Sequence, residues 1–201
     1  MQEISDILLA QARAFSMLEA IAVVLAVLYL LLAIKQNIWC WFCAGISTAI
    51  FVYLFFDVAL YMEAALNVFY FGMAIYGWRT WSLGTSGQAL PVVVWPFRRH
   101  LLAIIMVLAA SAASGFLLAT RTDAAFPYID SLTSWAAIWA TYLTAHKVLE
   151  NWWYWLAIDV TMAYIFWVKE LELTAVLYTL YLILIPIGLL SWSRTYRTTP
   201  K

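Results

Sequence analysis

Apolar residues fill seven stretches of the chain, and short polar or glycine-containing segments separate them. A helix crosses the hydrocarbon core of a bilayer with about 20 predominantly apolar residues, and each stretch is close to that length. The predicted spans cover residues 18–34, 38–56, 61–81, 101–119, 131–145, 152–168 and 173–192. The pattern therefore predicts an all-α polytopic membrane protein with seven transmembrane helices.

The last three predicted helices repeat the first three when the chain is displaced by 111 residues. The residues that then coincide are alike in kind: Glu19 and Asp130, Trp41 and Trp152, Tyr53 and Tyr164, Tyr70 and Tyr181, Gly77 and Gly188, Trp81 and Trp192. Because a fourth helix between the halves restores their direction, we expect two parallel repeats in 3+1+3 order. The predicted divisions are a first repeat at 18–81, a loop and linker helix at 82–119, a second repeat at 129–192 and a cytoplasmic tail at 193–201.

Composition supports the membrane prediction and excludes one class of partner. Apolar residues make up 66% of the chain and charged residues 11%, against about 25% charged residues in soluble domains. The 11 basic residues balance the 11 acidic ones, so no electrostatic basis for a nucleic-acid partner exists. The first 17 residues lack the basic segment of a cleaved signal, so we expect the chain to be kept whole and inserted by its first helix.

The placement of the basic residues predicts the orientation. Cytoplasmic loops carry an excess of Lys and Arg, and seven crossings put the two termini on opposite sides. The side of the C-terminus holds Lys35, Arg79, Arg98, Arg99, Lys147, Arg194, Arg197 and Lys201. The other side holds Arg13, Arg121 and Lys169. We therefore expect a cytoplasmic C-terminus and an external N-terminus.

Polar side chains within apolar helices are candidates for a solute site. Asn151, Trp152, Trp155 and Asp159 share one face of the sixth predicted helix at helical spacing. A carboxylate in mid-membrane costs about 2.5 to 3.5 kcal/mol, so Asp159 should face an interior or a cavity. Trp faces attract cations, and Asn or Asp can hold hydroxyls and amides. The face suits a flat, polar solute, including a cationic one.

Two further helices and one loop add candidates. Glu63, Asn67 and Tyr70 form one face of the third helix, and the seventh helix has tyrosines at the positions equivalent to Asn67 and Tyr70. The loop at 82–100 contains Gln88 between glycines, where it could fold over a site or simply be solvated. The candidate solute-binding residues are Glu63, Asn67, Tyr70, Gln88, Asn151, Trp152, Trp155, Asp159, Tyr178 and Tyr181.

Each candidate has an alternative structural role. Asn151 and Glu150 are suited to cap the sixth helix, and Asp159 to bond to a neighbouring helix. Tryptophans also gather at membrane interfaces as an anchoring belt. Those near predicted cytoplasmic helix ends are Trp39, Trp41, Trp78, Trp81, Trp152, Trp153 and Trp192.

Motifs for cofactors and catalysis are not found in the sequence. Cys40 and Cys43 form C-x-x-C inside an apolar helix, which favours packing over redox chemistry. His100 and His146 stand apart from other metal-ligating residues, and neither a phosphate-binding loop nor a nucleophile elbow occurs. We expect no metal, no cofactor, no catalytic residue and no transport powered by ATP.

Four short motifs together resemble the PnuC family of bacterial vitamin transporters. They are Asn67-x-x-Tyr70, Gly77-Trp78-x-x-Trp81, Lys147-x-x-Glu150-Asn151-Trp152, and Tyr178-x-x-Tyr181 followed by Gly188. The resemblance implies a fold like that of the SWEET sugar transporters, set in the bacterial inner membrane. It also implies uptake of nicotinamide riboside, a form of vitamin B3, by facilitated diffusion with alternating access. A cytoplasmic kinase would trap the product for NAD biosynthesis.

The chemistry of that solute agrees with the candidate residues. Its cationic ring would stack on Trp152 or Trp155, and Asp159 or Glu63 would complement the charge. Its amide and ribose would bond to Asn67, Asn151, Tyr178 and Gln88. Thiamine or riboflavin as the solute, and a membrane enzyme or scaffold instead of a transporter, remain alternatives. The small residues at 109–115 suit helix packing within one chain or in a homo-oligomer.

Overall fold

A computed structural model of the chain describes residues 2–57, 61–84, 89–122, 126–168 and 172–198, and side chains within these ranges from residue 17 onward, except 61, 62 and 172–174. The described residues form seven helices, which confirms the predicted fold class. They are α1 Gln2–Ile34, α2 Trp39–Asp57, α3 Tyr61–Leu83, α4 Phe97–Arg121, α5 Pro127–Ala145, α6 Asn151–Val168 and α7 Glu172–Thr198.

Several helices extend beyond the apolar windows that predicted them. α1 begins at Gln2 and α7 ends at Thr198, because no glycine or proline interrupts those outer turns. α4 and α5 start at prolines: Pro96 is the N-cap of α4, and Pro127 is the first residue of α5. The helix ends are thus set by residues such as proline that begin or interrupt a helix, and not by the limits of the apolar windows.

Long and strongly apolar windows occur in four of the described helices: Met17–Ile34, Trp39–Asp57, Phe97–Arg121 and Ala175–Thr198. The other helices contain more polar residues. In α5 the buried hydroxyls of Thr133, Thr141 and Thr144 donate to carbonyls of the preceding turn, at 2.7 to 3.0 Å. These three hydroxyls are therefore satisfied within the helix, as an apolar environment requires.

The chain divides into two compact units, Met1–Ser82 and Leu83–Lys201. In the first unit α1 packs along α2, and the buried Ser47 hydroxyl donates to the Ala22 carbonyl across the two helices at 2.8 Å. In the second unit α4 packs along α5, α5 along α6, and α6 along α7.

The connection between α1 and α2 is a Schellman turn. Gln36 has a left-handed backbone with φ of 54°. Its N–H donates to the Ala33 carbonyl at 2.9 Å, and the N–H of Asn37 reaches back to Leu32 at 2.9 Å. This pair of bonds satisfies two of the last carbonyls of α1. Glycine is the usual residue at the left-handed position, so Gln36 is unexpected there.

The connection between α5 and α6 repeats this turn 111 residues later. Lys147 has φ of 49°, its N–H donates to the Thr144 carbonyl at 3.0 Å, and Val148 N–H donates to Leu143 at 3.0 Å. Each of these residues is the repeat equivalent of its counterpart in the first turn. The repeat that residue identities predict is therefore present in the backbone of these two connections.

Each unit also contains the same Trp–Gly–Trp packing. In the first unit the Trp41 indole lies against Gly77, where an added Cβ would overlap the ring, and it meets Trp81 edge-on at 5.6 Å and 88°. In the second unit Trp152 lies against Gly188 in the same way and meets Trp192 at 5.5 Å and 90°. Glycine is required at both positions because each indole occupies the space of a side chain.

Six of the seven tryptophans near predicted cytoplasmic helix ends fall into two environments, and Trp78 is intermediate between them. Trp41, Trp81, Trp152 and Trp192 are buried, with at most 7% of their surface exposed. Trp39 and Trp153 are more than half exposed, as residues of an interfacial belt are. Burial thus separates core tryptophans from belt tryptophans, which the sequence alone does not.

Candidate functional site

The predicted residues of the first unit lie together on α3. Asn67 is half-buried, and its amide N–H donates to the Glu63 carbonyl one turn earlier at 2.9 Å. Glu63 is exposed and acts electrostatically on the half-buried Tyr70. The carboxylate, the amide and the phenol therefore follow one line along α3, as their spacing predicts.

The predicted residues at the start of α6 are joined through a residue of α5. The Asn151 amide N–H donates to the Val148 carbonyl at 2.6 Å, and its oxygen lies 3.2 Å from the donating hydroxyl of Thr144. The half-buried Trp155 donates its indole N–H to the same hydroxyl at 3.3 Å. We call Thr144, Asn151 and Trp155 the Thr144 hub. It sets Asn151, with 1% exposure, inside the protein and leaves Trp155 partly open.

Trp152 points in a different direction from Trp155. Its ring packs on Gly188 and Trp192 of α7, and 2% of its surface is exposed. Adjacent helical residues are about 100° apart, so Asn151 can face α5 while Trp152 faces α7. The structure separates these two neighbours, although both belong to the predicted face.

The middle of α6 and α7 holds the remaining candidates. Asp159 is buried, with 5% exposure, and acts electrostatically on Tyr181 of α7. Tyr181 meets Tyr178 edge-on at 5.7 Å, and Tyr178 packs on Phe166 of α6 at 5.2 Å. An acid and two phenols thus gather between α6 and α7. Gln88 lies outside the described residues.

Sequence reasoning missed an aromatic group around Trp95, in the segment that leads into α4. The Trp95 ring lies 6.1 to 6.4 Å from the rings of His100, Trp139, Tyr142 and His146. We call these five residues the Trp95 cluster. The Arg99 guanidinium also stands over Trp95 at 5.1 Å, in cation–π geometry. Both histidines of the chain therefore meet the same indole.

A backbone bridge brings Trp95 to this position. Val93 donates its N–H to the Lys147 carbonyl at 3.0 Å, and its own carbonyl accepts from Leu149 N–H at 2.8 Å. The Glu150 carboxylate accepts from the Trp95 N–H at 3.4 Å. The segment before α4 is thus fixed to the α5–α6 turn at three points.

The same carboxylate borders the histidine of α4. Glu150 Oε2 lies 3.8 Å from His100 Nε2, and His100 Nδ1 is 3.0 Å from the Tyr154 hydroxyl. The nearest signal in the sequence was the Lys147-x-x-Glu150 motif, which does not reveal its partners. Among the described residues, no group of three or more His, Cys, Asp or Glu side chains is placed to hold a metal ion.

His146 is a titratable member of the Trp95 cluster. It follows the last residue of α5, and its ring lies 4.5 Å from that of Tyr142. Burial lowers the pKa of His146 below its ordinary value of 6.5. The neutral imidazole is therefore favoured at neutral pH.

Comparison with known proteins agrees with the fold and the motifs. The sequence model of the family described as nicotinamide mononucleotide transporter matches residues 16–194. Two proteins named nicotinamide riboside transporter PnuC, from Escherichia coli (strain K12) and Shigella flexneri, are each 26% identical over 75% of this chain and 74% of their own. A crystal structure of the vitamin B3 transporter PnuC has a TM-score of 0.75 at 20% identity, covering 94% of this chain and 87% of that one. At that identity the structural likeness shows the fold.

Proposed function

Since the chain belongs to the nicotinamide mononucleotide transporter family, we propose that it carries nicotinamide riboside across the bacterial cytoplasmic membrane. The main support for this proposal is the family match over residues 16–194, which includes all seven helices in whole or in part. The names of the two PnuC relatives support the riboside as the solute.

The riboside is a better candidate than the mononucleotide on electrostatic grounds. Asp159 is the only charged residue in α6, and α3 carries Glu63 on the line of Asn67 and Tyr70. Proteins hold phosphate with Arg, Lys or exposed N–H groups, and neither set of candidates contains a basic side chain. A phosphate with about two negative charges would be repelled by these acids, whereas a pyridinium would be attracted.

The proposed contacts follow from exposure. Trp155 offers a partly open aromatic surface for the cationic ring, and Asp159 supplies the opposite charge in the same unit. Tyr178 and Tyr181 supply hydroxyls for the ribose or the carboxamide. In the first unit, Asn67 supplies an amide and Tyr70 a hydroxyl for the same groups.

Transport by this protein is proposed to follow the solute gradient. The described residues contain no cluster of acids suited to a coupling ion. Net uptake then depends on a cytoplasmic kinase that converts the riboside into the excluded mononucleotide. We propose a cytoplasmic C-terminus, because most basic residues of the chain lie in segments on the C-terminal side of the membrane.

Calorimetric titration of the purified protein tests the proposal. Nicotinamide riboside, its mononucleotide, thiamine and riboflavin are titrated separately, and saturable binding of the riboside alone is expected. Binding of thiamine or riboflavin instead would keep the family and overturn the solute. In liposomes without a kinase, riboside counterflow should persist after a protonophore is added, and its loss would contradict gradient-driven transport.

A further inference from the structure

The two Schellman turns have the same backbone but different side chains around them. Thr144, Asn151 and Trp155 form the hydrogen-bonded Thr144 hub of the second unit. Their repeat equivalents in the first unit are Ala33, Cys40 and Ala44. The polar hub is thus present in one copy of a turn that occurs twice.

The first unit shows that the turn does not need the hub. Ala33 is 2% exposed and Cys40 is fully buried, so the apolar version packs closely. The N–H of Cys40 donates to the Asn37 carbonyl at 3.0 Å, as that of Asn151 donates to Val148 at 3.1 Å. Burying a hydroxyl and an amide in place of two apolar groups has a desolvation cost, and the backbone hydrogen bonds that define the turn form without them in the first unit. A role other than forming the turn is therefore indicated.

The Thr144 hydroxyl is the centre of the hub. It has one proton, and two acceptors lie within reach of that proton: the Ala140 carbonyl at 2.9 Å and Asn151 Oδ1 at 3.2 Å. One of its lone pairs accepts the Trp155 indole N–H at 3.3 Å. Thr144 is 3% exposed, so this bond forms away from water and fixes the direction of the indole.

We propose that Thr144 is a positioning residue that orients the Trp155 indole, with Asn151 completing the hub, so that the open face of Trp155 receives the flat ring of the solute. The inference rests on the proposed function. Asn151 acts through the hub, because its buried amide is engaged with Val148 and Thr144. Trp155 contacts the solute, because it is the partly open member.

The test uses variants whose folding the first unit supports. Thr144→Ala removes the hydroxyl and introduces the residue that occupies the equivalent position in the first turn. Thr144→Ser keeps the hydroxyl. The matched control is Thr141→Ala, since Thr141 is buried in the same helix and its hydroxyl donates to the Ala137 carbonyl at 2.7 Å.

Two quantities are measured on the purified full chain. The first is the affinity for nicotinamide riboside, which should fall about tenfold in Thr144→Ala and stay within twofold of wild type in Thr144→Ser and Thr141→Ala. The second is the indole N–H resonance of Trp155, assigned by its loss in Trp155→Phe. It should shift in Thr144→Ala and not in the other two variants.

A mutant cycle separates positioning from general damage. In a Trp155→Phe background, which lacks the indole N–H, Thr144→Ala should have no further effect on affinity. Wild-type affinity in Thr144→Ala, or an equal loss in Thr141→Ala, would overturn the positioning role while riboside binding by wild type still stands. If the wild-type protein does not bind the riboside, the proposed function is overturned, and this inference with it.

Discussion

Gln36 and Lys147, 111 residues apart, share a left-handed backbone, with φ of 54° and 49°. Each lies two residues after the last residue of a helix, and each takes part in the same pair of backbone hydrogen bonds to that helix. Left-handed conformations cost an L-residue about 1 to 2 kcal/mol relative to right-handed ones. Two such residues at equivalent positions are therefore a property of the repeated fold and not a local accident.

Relief of this strain gives a first prediction. Gln36→Gly should be more stable than Gln36→Ala by about 1 kcal/mol, because both lose the side chain but alanine keeps the left-handed cost. The apparent melting temperatures in detergent, at one heating rate, measure the difference. At Thr80, inside α3, the order should reverse, since alanine is favoured over glycine in a helix. The same order at both sites would refute the explanation.

The glycines beneath the two indoles give a second prediction. Gly77→Ala and Gly188→Ala should each lower stability by about 1 to 3 kcal/mol, because the new Cβ would overlap Trp41 or Trp152. Gly72→Ala is the control, since nothing lies within 4 Å of an added Cβ there. Melting temperatures should fall for the first two variants only. An unchanged value for Gly188→Ala would mean that Trp152 is not tightly held.

The backbone bridge gives a third prediction. Val93→Pro removes the N–H that donates to Lys147 and should cost about 1 to 3 kcal/mol, because a carbonyl loses its partner. Val93→Ala keeps the N–H and should cost less. Hydrogen exchange of Leu149, whose N–H donates to the Val93 carbonyl, should become faster in the proline variant alone. Equal exchange in both variants would argue against the bridge.

Acid sensitivity gives a fourth prediction. The folded-state pKa of His146 lies below its ordinary value, so the unfolded chain takes up the proton first as the pH falls through 6.5. The free energy of unfolding should therefore be fully retained above this pH and decrease below it, with a shallow slope because the imidazole is half-buried. His146→Gln should show a smaller decrease between pH 7.5 and about 5.5. A slope equal to that of wild type would exclude His146 as the source.

The solute contacts give a fifth prediction, which depends on the proposed function. Asn67→Ala should weaken riboside binding about fivefold or more, because a desolvated partner on the solute is left unpaired. Thr80→Ala is the control in the same helix, since its hydroxyl also bonds one turn back, to the Tyr76 carbonyl at 2.8 Å. Calorimetric titration gives both affinities. A similar loss in Thr80→Ala would point to disturbance of α3 and not to a lost contact.

Hydropathy and the repeat predicted most of the fold. Seven apolar windows gave seven helices, since a bilayer sets both the length and the polarity of a crossing segment. The coincidence of Gly77 with Gly188 had a physical cause, because each glycine makes room for an indole of the preceding helix, Trp41 or Trp152, 36 residues earlier in the sequence. That pairing of Gly with Trp was the available signal that these two tryptophans belong to the core.

The sequence could not predict contacts that depend on an unusual backbone. Nothing in a glutamine or a lysine indicates a left-handed turn, and without that turn Thr144 is not placed beside Asn151. The Trp95 cluster needs two segments 55 residues apart to pair, as Trp95 and Glu150 do. Helical spacing identified which residues share a face of α6, but not that this face divides between α5 and α7.

The bridge between Val93 and Val148 also bears on how the protein is made. The segment that contains Val93 leaves the ribosome well before the segment that contains Val148, since 55 residues separate Trp95 from Glu150. At translation rates of about 5 to 20 residues per second, the first segment is made about 3 to 11 seconds before the second. α4 and α5 are synthesised during that interval, so the bridge can close only after both have been made. This short bridge is therefore a contact that the chain can form only late in its synthesis, once α4 and α5 both exist.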